Sequence, residues 1–214
     1  MRDAWPWLAL VLLGAYHGIN PGMGWLFAVA LGLQEKSRKS VLQALLPIAL
    51  GHAVSIALVV AIVGGVAAFA PPRALRTGGA LALIAFGLFK FIRPRSHPRW
   101  VGMRIGKGEL ALWSFLMATA HGAGLMLFPV LIALPASARA DHAAHLHHVA
   151  GGGSIARDAA AVLVHTAAML FVMGAVAIVV YEKLGLAILR KAWVNLDLVW
   201  AVVIVATGAF TLLT

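Results

Sequence analysis

Long apolar stretches separated by short polar or basic segments make up most of the chain, and they predict six spans near residues 5–33, 41–70, 77–92, 110–134, 159–181 and 193–213. The first is too long to be one simple span. Its 29 residues would measure roughly 43 Å as a single helix, against ~30 Å for a bilayer core. The segment Ala15-Tyr16-His17-Gly18-Ile19-Asn20-Pro21-Gly22-Met23-Gly24 lies in its middle. Pro21 has no N–H and disfavours helical geometry at Asn20, while Gly18, Gly22 and Gly24 loosen the backbone. Two half-helices meeting at a polar turn are expected there. At membrane depth such a turn survives only inside protein or against a wet cavity. Pro71-Pro72 closes the second span and Arg93-Pro94-Arg95 the third, with Lys90 expected to snorkel to the interface.

The pattern repeats. Ala118-Thr119-Ala120-His121-Gly122-Ala123-Gly124, followed by Pro129, echoes the His17-Gly18 segment. Span 2 carries Leu50-Gly51-His52-Ala53 midway, and span 5 carries Leu163-Val164-His165-Thr166. Spans 3 and 6 share Ala85-Phe86-Gly87-Leu88-Phe89 and Ala206-Thr207-Gly208-Ala209-Phe210. The chain therefore reads as one all-α transmembrane domain over 1–214, formed of two three-helix units, 5–93 and 110–213. The first helix of each is broken. Because three is odd, the units enter the membrane from opposite sides, which makes a 3+3 inverted repeat.

Composition agrees, with 62% hydrophobic and 11% charged residues. The start, Met1 to Trp7, lacks a cleavable signal pattern, so the first run is expected to remain as a span. The formal net charge of +10 is distributed as membrane topology requires, not as nucleic-acid binding would require. Loops 34–40, 90–109 and 182–192 hold twelve Lys and Arg, and the opposite face holds five. The positive-inside rule then places both termini and the loop 135–157 outside the cytoplasm, in a multi-pass protein of the inner membrane. With no cysteine, disulfides, thiolate metal sites and dithiol relays are excluded.

Four histidines, His17, His52, His121 and His165, fall inside spans, where ionisable groups are functional candidates because their desolvation is costly. Pairing of the halves about a pseudo-twofold axis would bring them together near the midplane. Imidazole suits zinc, copper, nickel and iron, and also relays protons. The plainer alternative is a neutral ring bonded to a backbone carbonyl or hydroxyl within the bundle. Asn20 can add an oxygen ligand. Met169 lies one turn after His165 and Met117 one turn before His121, and with Met23 these are candidate soft ligands or packing residues. Ser55 lies one turn after His52. In the external loop, His142, His145, His147 and His148 suit transient metal capture, beside the flexible Gly151-Gly152-Gly153-Ser154. Asp197, opening span 6 after Asn195, is a candidate proton or cation ligand or an interfacial charge facing the helix dipole. His97, between basic residues and Pro98, reads as headgroup contact. No nucleophile–base–acid constellation or nucleotide loop is visible, so an enzyme is not expected.

His17-Gly18-Ile19-Asn20-Pro21-Gly22-Met23 resembles the HALDPDH-like motif of nickel/cobalt transporters and urease-accessory membrane proteins in the lysine exporter superfamily. His17 and Pro21 match, Asn20 stands where that group has its first aspartate, and Gly22 and Met23 replace its second aspartate and histidine. The resemblance extends to the six-span plan and the histidine-rich outer loop. It implies a carrier of a nickel, cobalt, zinc or copper ion, an exporter or a permease close to one. The lipid bilayer and the ion are the expected partners, and the pattern is compatible with a homo-oligomer. Two alternatives stand beside it: a carrier of a small anion or organic solute, held by the half-helix N–H groups after Pro21, and a non-transporting membrane protein that binds metal or haem.

Overall fold

The computed structural model describes residues 4–67, 69–93, 106–133, 155–184 and 196–213. Among these, all regular structure is helical: α1 (Trp5–Ile19), α2 (Trp25–Glu35), α3 (Arg38–Ala67), α4 (Pro72–Ile92), α5 (Lys107–Ala120), α6 (Ala123–Ala133), α7 (Ile155–Val179) and α8 (Leu196–Leu213). A 3-10 turn, Pro21–Met23, separates α1 from α2, and a turn of π-helix, Val180–Leu184, extends α7. Three helices, α3, α4 and α7, are long and apolar enough to cross a membrane. The pair α5 and α6, bent by 59° between them, makes a fourth candidate, while α1, α2 and α8 are shorter apolar helices.

The distribution of side chains is that of a membrane protein. Leu163 is 67% and Phe171 78% exposed on α7, and Leu46, Leu50, Val54, Leu58 and Ile62 line an exposed face of α3. Among the described residues, the buried polar ones are His17, Asn20, Ser40, His52, Ser55, Lys90, Ser114, His121, His165 and Thr211. Lipid favours this inversion, because polar groups gain nothing by facing hydrocarbon and must find partners inside. Ser114 Oγ donates to the Ile48 carbonyl at 2.7 Å, and Thr119 Oγ1 donates to the Phe115 carbonyl at 2.8 Å. With the Thr119 proton so used, Ser55 Oγ donates to Thr119 Oγ1 at 2.9 Å, tying α3 to α5.

Close backbone approach sets the pairing. The most extensive contacts join α1 to α7, α3 to α5 and α4 to α8. Glycines allow it: a Cβ on Gly14 would lie 2.3 Å from the His165 carbonyl oxygen, and one on Gly51 would lie 2.0 Å from that of Ala111. A Gly-x-x-x-Gly strip, Gly14 and Gly18, thus brings α1 onto the backbone of α7. At α4–α8, Gly87 meets Ala201 and Val205, and Gly208 meets Ala80 and Ile84.

Both broken regions have a local cause. Before Pro21, Asn20 takes φ −68° and ψ 118°, so α1 stops, and Gly24 at φ 122° restarts the chain as α2. In the second, Gly122 at φ 68° follows His121 and turns the chain between α5 and α6. Gly122→Ala is expected to cost more than ~1–2 kcal/mol, since the left-handed backbone penalises any Cβ and this one would meet Phe86 at 2.7 Å. A melting temperature in detergent equal to the parent's would refute that estimate.

Two contacts relate the helix ends. Arg38 pairs with Glu182 at 3.1 Å, which puts the start of α3 and the end of α7 at one end of the bundle. Arg76 Nε donates to the Thr211 carbonyl at 3.0 Å, which joins the start of α4 to the end of α8. Lys90 corrects its expected snorkelling: it is 5% exposed, with Nζ 5.9 Å from the centroid of the Phe86 ring. Burial between packed helices lets an aromatic face attract the ammonium.

A buried histidine cluster as the candidate functional site

His52 sits midway along α3, about 21 Å from its first residue in a helix of about 45 Å. His165 lies in the middle of α7, and His17 in the last turn of α1 before the break. The Gly14–Gly18 strip and the α3–α7 contact bring these three rings together. One ring nitrogen of each lies within 4.8 Å of the others. The rings are 0%, 1% and 0% exposed for His17, His52 and His165. His52 and His165 stack at 5.6 Å with planes 11° apart, and His17 meets them edge-on at 5.2 and 4.9 Å.

The hydrogen bonds orient the rings. His17 Nδ1 lies 2.7 Å from the Leu13 carbonyl, His165 Nδ1 3.2 Å from the Leu10 carbonyl, and His121 Nδ1 2.8 Å from the Met117 carbonyl. A carbonyl only accepts, so in the neutral ring each Nδ1 carries the proton and each Nε2 keeps its lone pair. Carbonyls commonly hold metal-ligating imidazoles in this way. His17 Nε2 and His52 Nδ1 are buried with no hydrogen-bond partner among the described residues. Buried polar atoms of this kind call for a ligand or a water.

His52 Nε2 and His165 Nε2 are 3.4 Å apart. This is long for a nitrogen–nitrogen hydrogen bond, which is strongest near 3 Å. It matches the roughly 3.3 Å between two nitrogens bound tetrahedrally to one ion at about 2.0–2.1 Å. The third ring would have to move inward by up to roughly 1.4 Å to share that ion. Three imidazoles without a carboxylate suit a borderline or soft cation better than magnesium or calcium.

His121 stands apart from the three-ring group, with Trp200 beside it. The Trp200 ring lies edge-on to His17 at 4.6 Å and to His121 at 6.2 Å, and it stacks on Tyr16 at 5.3 Å. Its Nε1–H donates to the His121 carbonyl. Trp200 thus walls the cluster and fixes the bend between α5 and α6. A tryptophan in an apolar span reads as an interfacial anchor, and only its spacing from the repeat histidines could have suggested otherwise.

The remaining candidates fall elsewhere. Asn20 is buried, but its Oδ1 accepts from the Gly22 amide at 2.8 Å, so it caps the 3-10 turn. Met23 and Met169 belong to the hydrophobic core with Trp25, Ile48 and Met173. Met117 offers His121 its carbonyl. At the break, the amides of Gly22, Met23 and Gly24 already bond to Asn20 Oδ1, Asn20 O and Pro21 O, which leaves few donors for an anion. The external histidines His142, His145, His147 and His148 lie outside the described residues, as do His97, Asn195 and the side chain of Asp197. Comparison with family models, curated proteins and solved structures gives no match.

Proposed function

We propose that this chain is a six-span carrier of a transition-metal cation of the nickel, cobalt, zinc or copper class, built as a 3+3 inverted repeat in the inner membrane. The observation that carries this reading is the buried His17, His52 and His165 cluster, in which backbone carbonyls orient His17 and His165 and leave their Nε2 lone pairs free. Helix pairing supports the repeat. If α1 corresponds to α5 and α3 to α7, the contacts α1–α7 and α5–α3 are symmetry mates, and α4–α8 is its own mate. Each ligand set then draws on both halves, so rocking of one half against the other changes access to the ion. Burial of all three rings corresponds to an occluded state. The histidines of the loop 135–157 would gather ions at the outer mouth, and His121 would receive the ion as it leaves the three-ring cluster.

The test is flux. Proteoliposomes loaded with a metal-sensitive dye are expected to pass Zn²⁺, Ni²⁺, Co²⁺ or Cu⁺ at a rate that His52→Ala lowers at least tenfold. Metal that binds stoichiometrically without crossing would instead favour the non-transporting reading. Visible absorbance of the purified protein in the haem region would replace the ion by a porphyrin.

A further inference from the structure

A second feature, independent of the histidines, lies on the lipid-facing side. A crevice of about 810 Å³ runs between α1, α6 and α8, and Arg76 of α4 lines it. Its depth follows from the helices: Trp5 to Leu13 on α1 is about 12 Å, from one end of the bundle toward the midplane. The wall is apolar, formed by side chains such as Leu12, Met126, Val130 and Phe210, and Leu12 and Phe210 are exposed at its opening. Thr211 bonds Arg76 through its carbonyl, and Trp5 also lines the crevice.

We propose that this crevice holds one acyl chain of an anionic phospholipid, with its phosphate on the Arg76 guanidinium. The volume falls within the ~300–1,000 Å³ typical of small-molecule sites. Lipid is the solvent of this surface, and an apolar slot with one cation at its mouth complements a chain with an anionic head. Arg76 Nε is used by the Thr211 carbonyl, which aligns the guanidinium and leaves its terminal amino groups for a bidentate contact. Among the described residues no carboxylate pairs with Arg76. A second groove offers a contrast. A groove of about 600 Å³ between α3 and α7 also has an arginine, Arg38, but Glu182 neutralises it at 3.1 Å. Of these two grooves, the first alone presents a cation with no carboxylate partner among the described residues. Tryptophan at headgroup level, as Trp5 would be, is the usual interfacial anchor.

Native mass spectrometry of the detergent-purified chain, titrated with dioleoylphosphatidylglycerol or dioleoylphosphatidylcholine, tests this. The anionic lipid is expected to be retained about fivefold better, a preference typical of one arginine near the headgroups. Arg76→Gln should abolish the preference and Arg76→Lys should retain part of it. Ala206→Trp, which fills the crevice, should reduce retention of both lipids. Equal retention of the two lipids by the parent, or an unchanged preference in Arg76→Gln, would overturn the proposal. So would competition by inorganic phosphate as effective as by the lipid, since the chain would then contribute nothing. Should Ala206→Trp fail to fold, Arg76→Gln and Arg76→Lys decide the matter alone.

Discussion

His17→Ala, purified in detergent and titrated with Zn²⁺, is expected to bind the ion at least about 100-fold more weakly than the parent, with His52→Ala and His165→Ala behaving alike. Loss of the groups that merely orient a ligand already costs 10–100-fold, and here a ligand itself is removed. The three variants should agree because the nitrogens form one group within 4.8 Å. His121→Ala should have a much smaller effect on equilibrium affinity, since the group of ring nitrogens within 4.8 Å of one another comprises His17, His52 and His165. Trp200 provides the readout. Its ring lies 4.6 Å from that of His17, so Co²⁺, Ni²⁺ or Cu²⁺ at the cluster should quench its emission, and Trp200→Phe should remove that part of the signal. Parent-like affinity in all three variants would eliminate the cluster as a binding site.

Gly18→Leu is expected to destabilise the bundle by more than about 3 kcal/mol, at or beyond the upper end of ordinary overpacking. A Cβ there would lie 2.5 Å from the Met169 carbonyl oxygen and 2.9 Å from the Met173 amide nitrogen, both backbone atoms that a rotamer change cannot move. Parting α1 from α7 would also carry His17 away from His165, so metal affinity should fall together with stability. Gly64→Ala and Gly65→Ala supply the contrast. Nothing lies within 4 Å of a Cβ at either position of α3, and each should be neutral or gain some of the ~0.5–1 kcal/mol that alanine offers over glycine in a helix. Thermal melts in one detergent compare all three. Equal melting temperatures for Gly18→Leu and Gly64→Ala would mean that the close α1–α7 packing is wrong.

Much of this plan is legible in the sequence because lipid imposes simple rules. Apolar length marks the helices, and proline after asparagine marks the break after α1. A glycine after His121 marks the one after α5. Histidines set inside apolar runs point to a shared interior, and His17, His52 and His165 meet there. Less legible is what each side chain does once surrounded. Asn20 looks like a ligand in the sequence but caps a turn, because the first free amides after α1 lie nearest to it. Lys90 lies near a helix end, yet neighbouring helices cover it. Gly18 reads as backbone freedom, whereas with Gly14 its use is to admit another helix, and nothing in one strand of text names that helix. Trp200 escapes for the same reason: its meaning comes from Tyr16, His17 and His121, distant in the chain.

The pairing of α1 with α7 has a consequence for biogenesis. The His165 ring bonds the carbonyl of Leu10, a residue 155 positions earlier. On a ribosome, α1 therefore waits, its small-residue strip bare, until α7 emerges far later. Contacts so distant form slowly and leave intermediates open to wrong partners. An ion that needs all three imidazoles can be captured only by a chain that has finished this late embrace, so loading would double as proof of correct assembly.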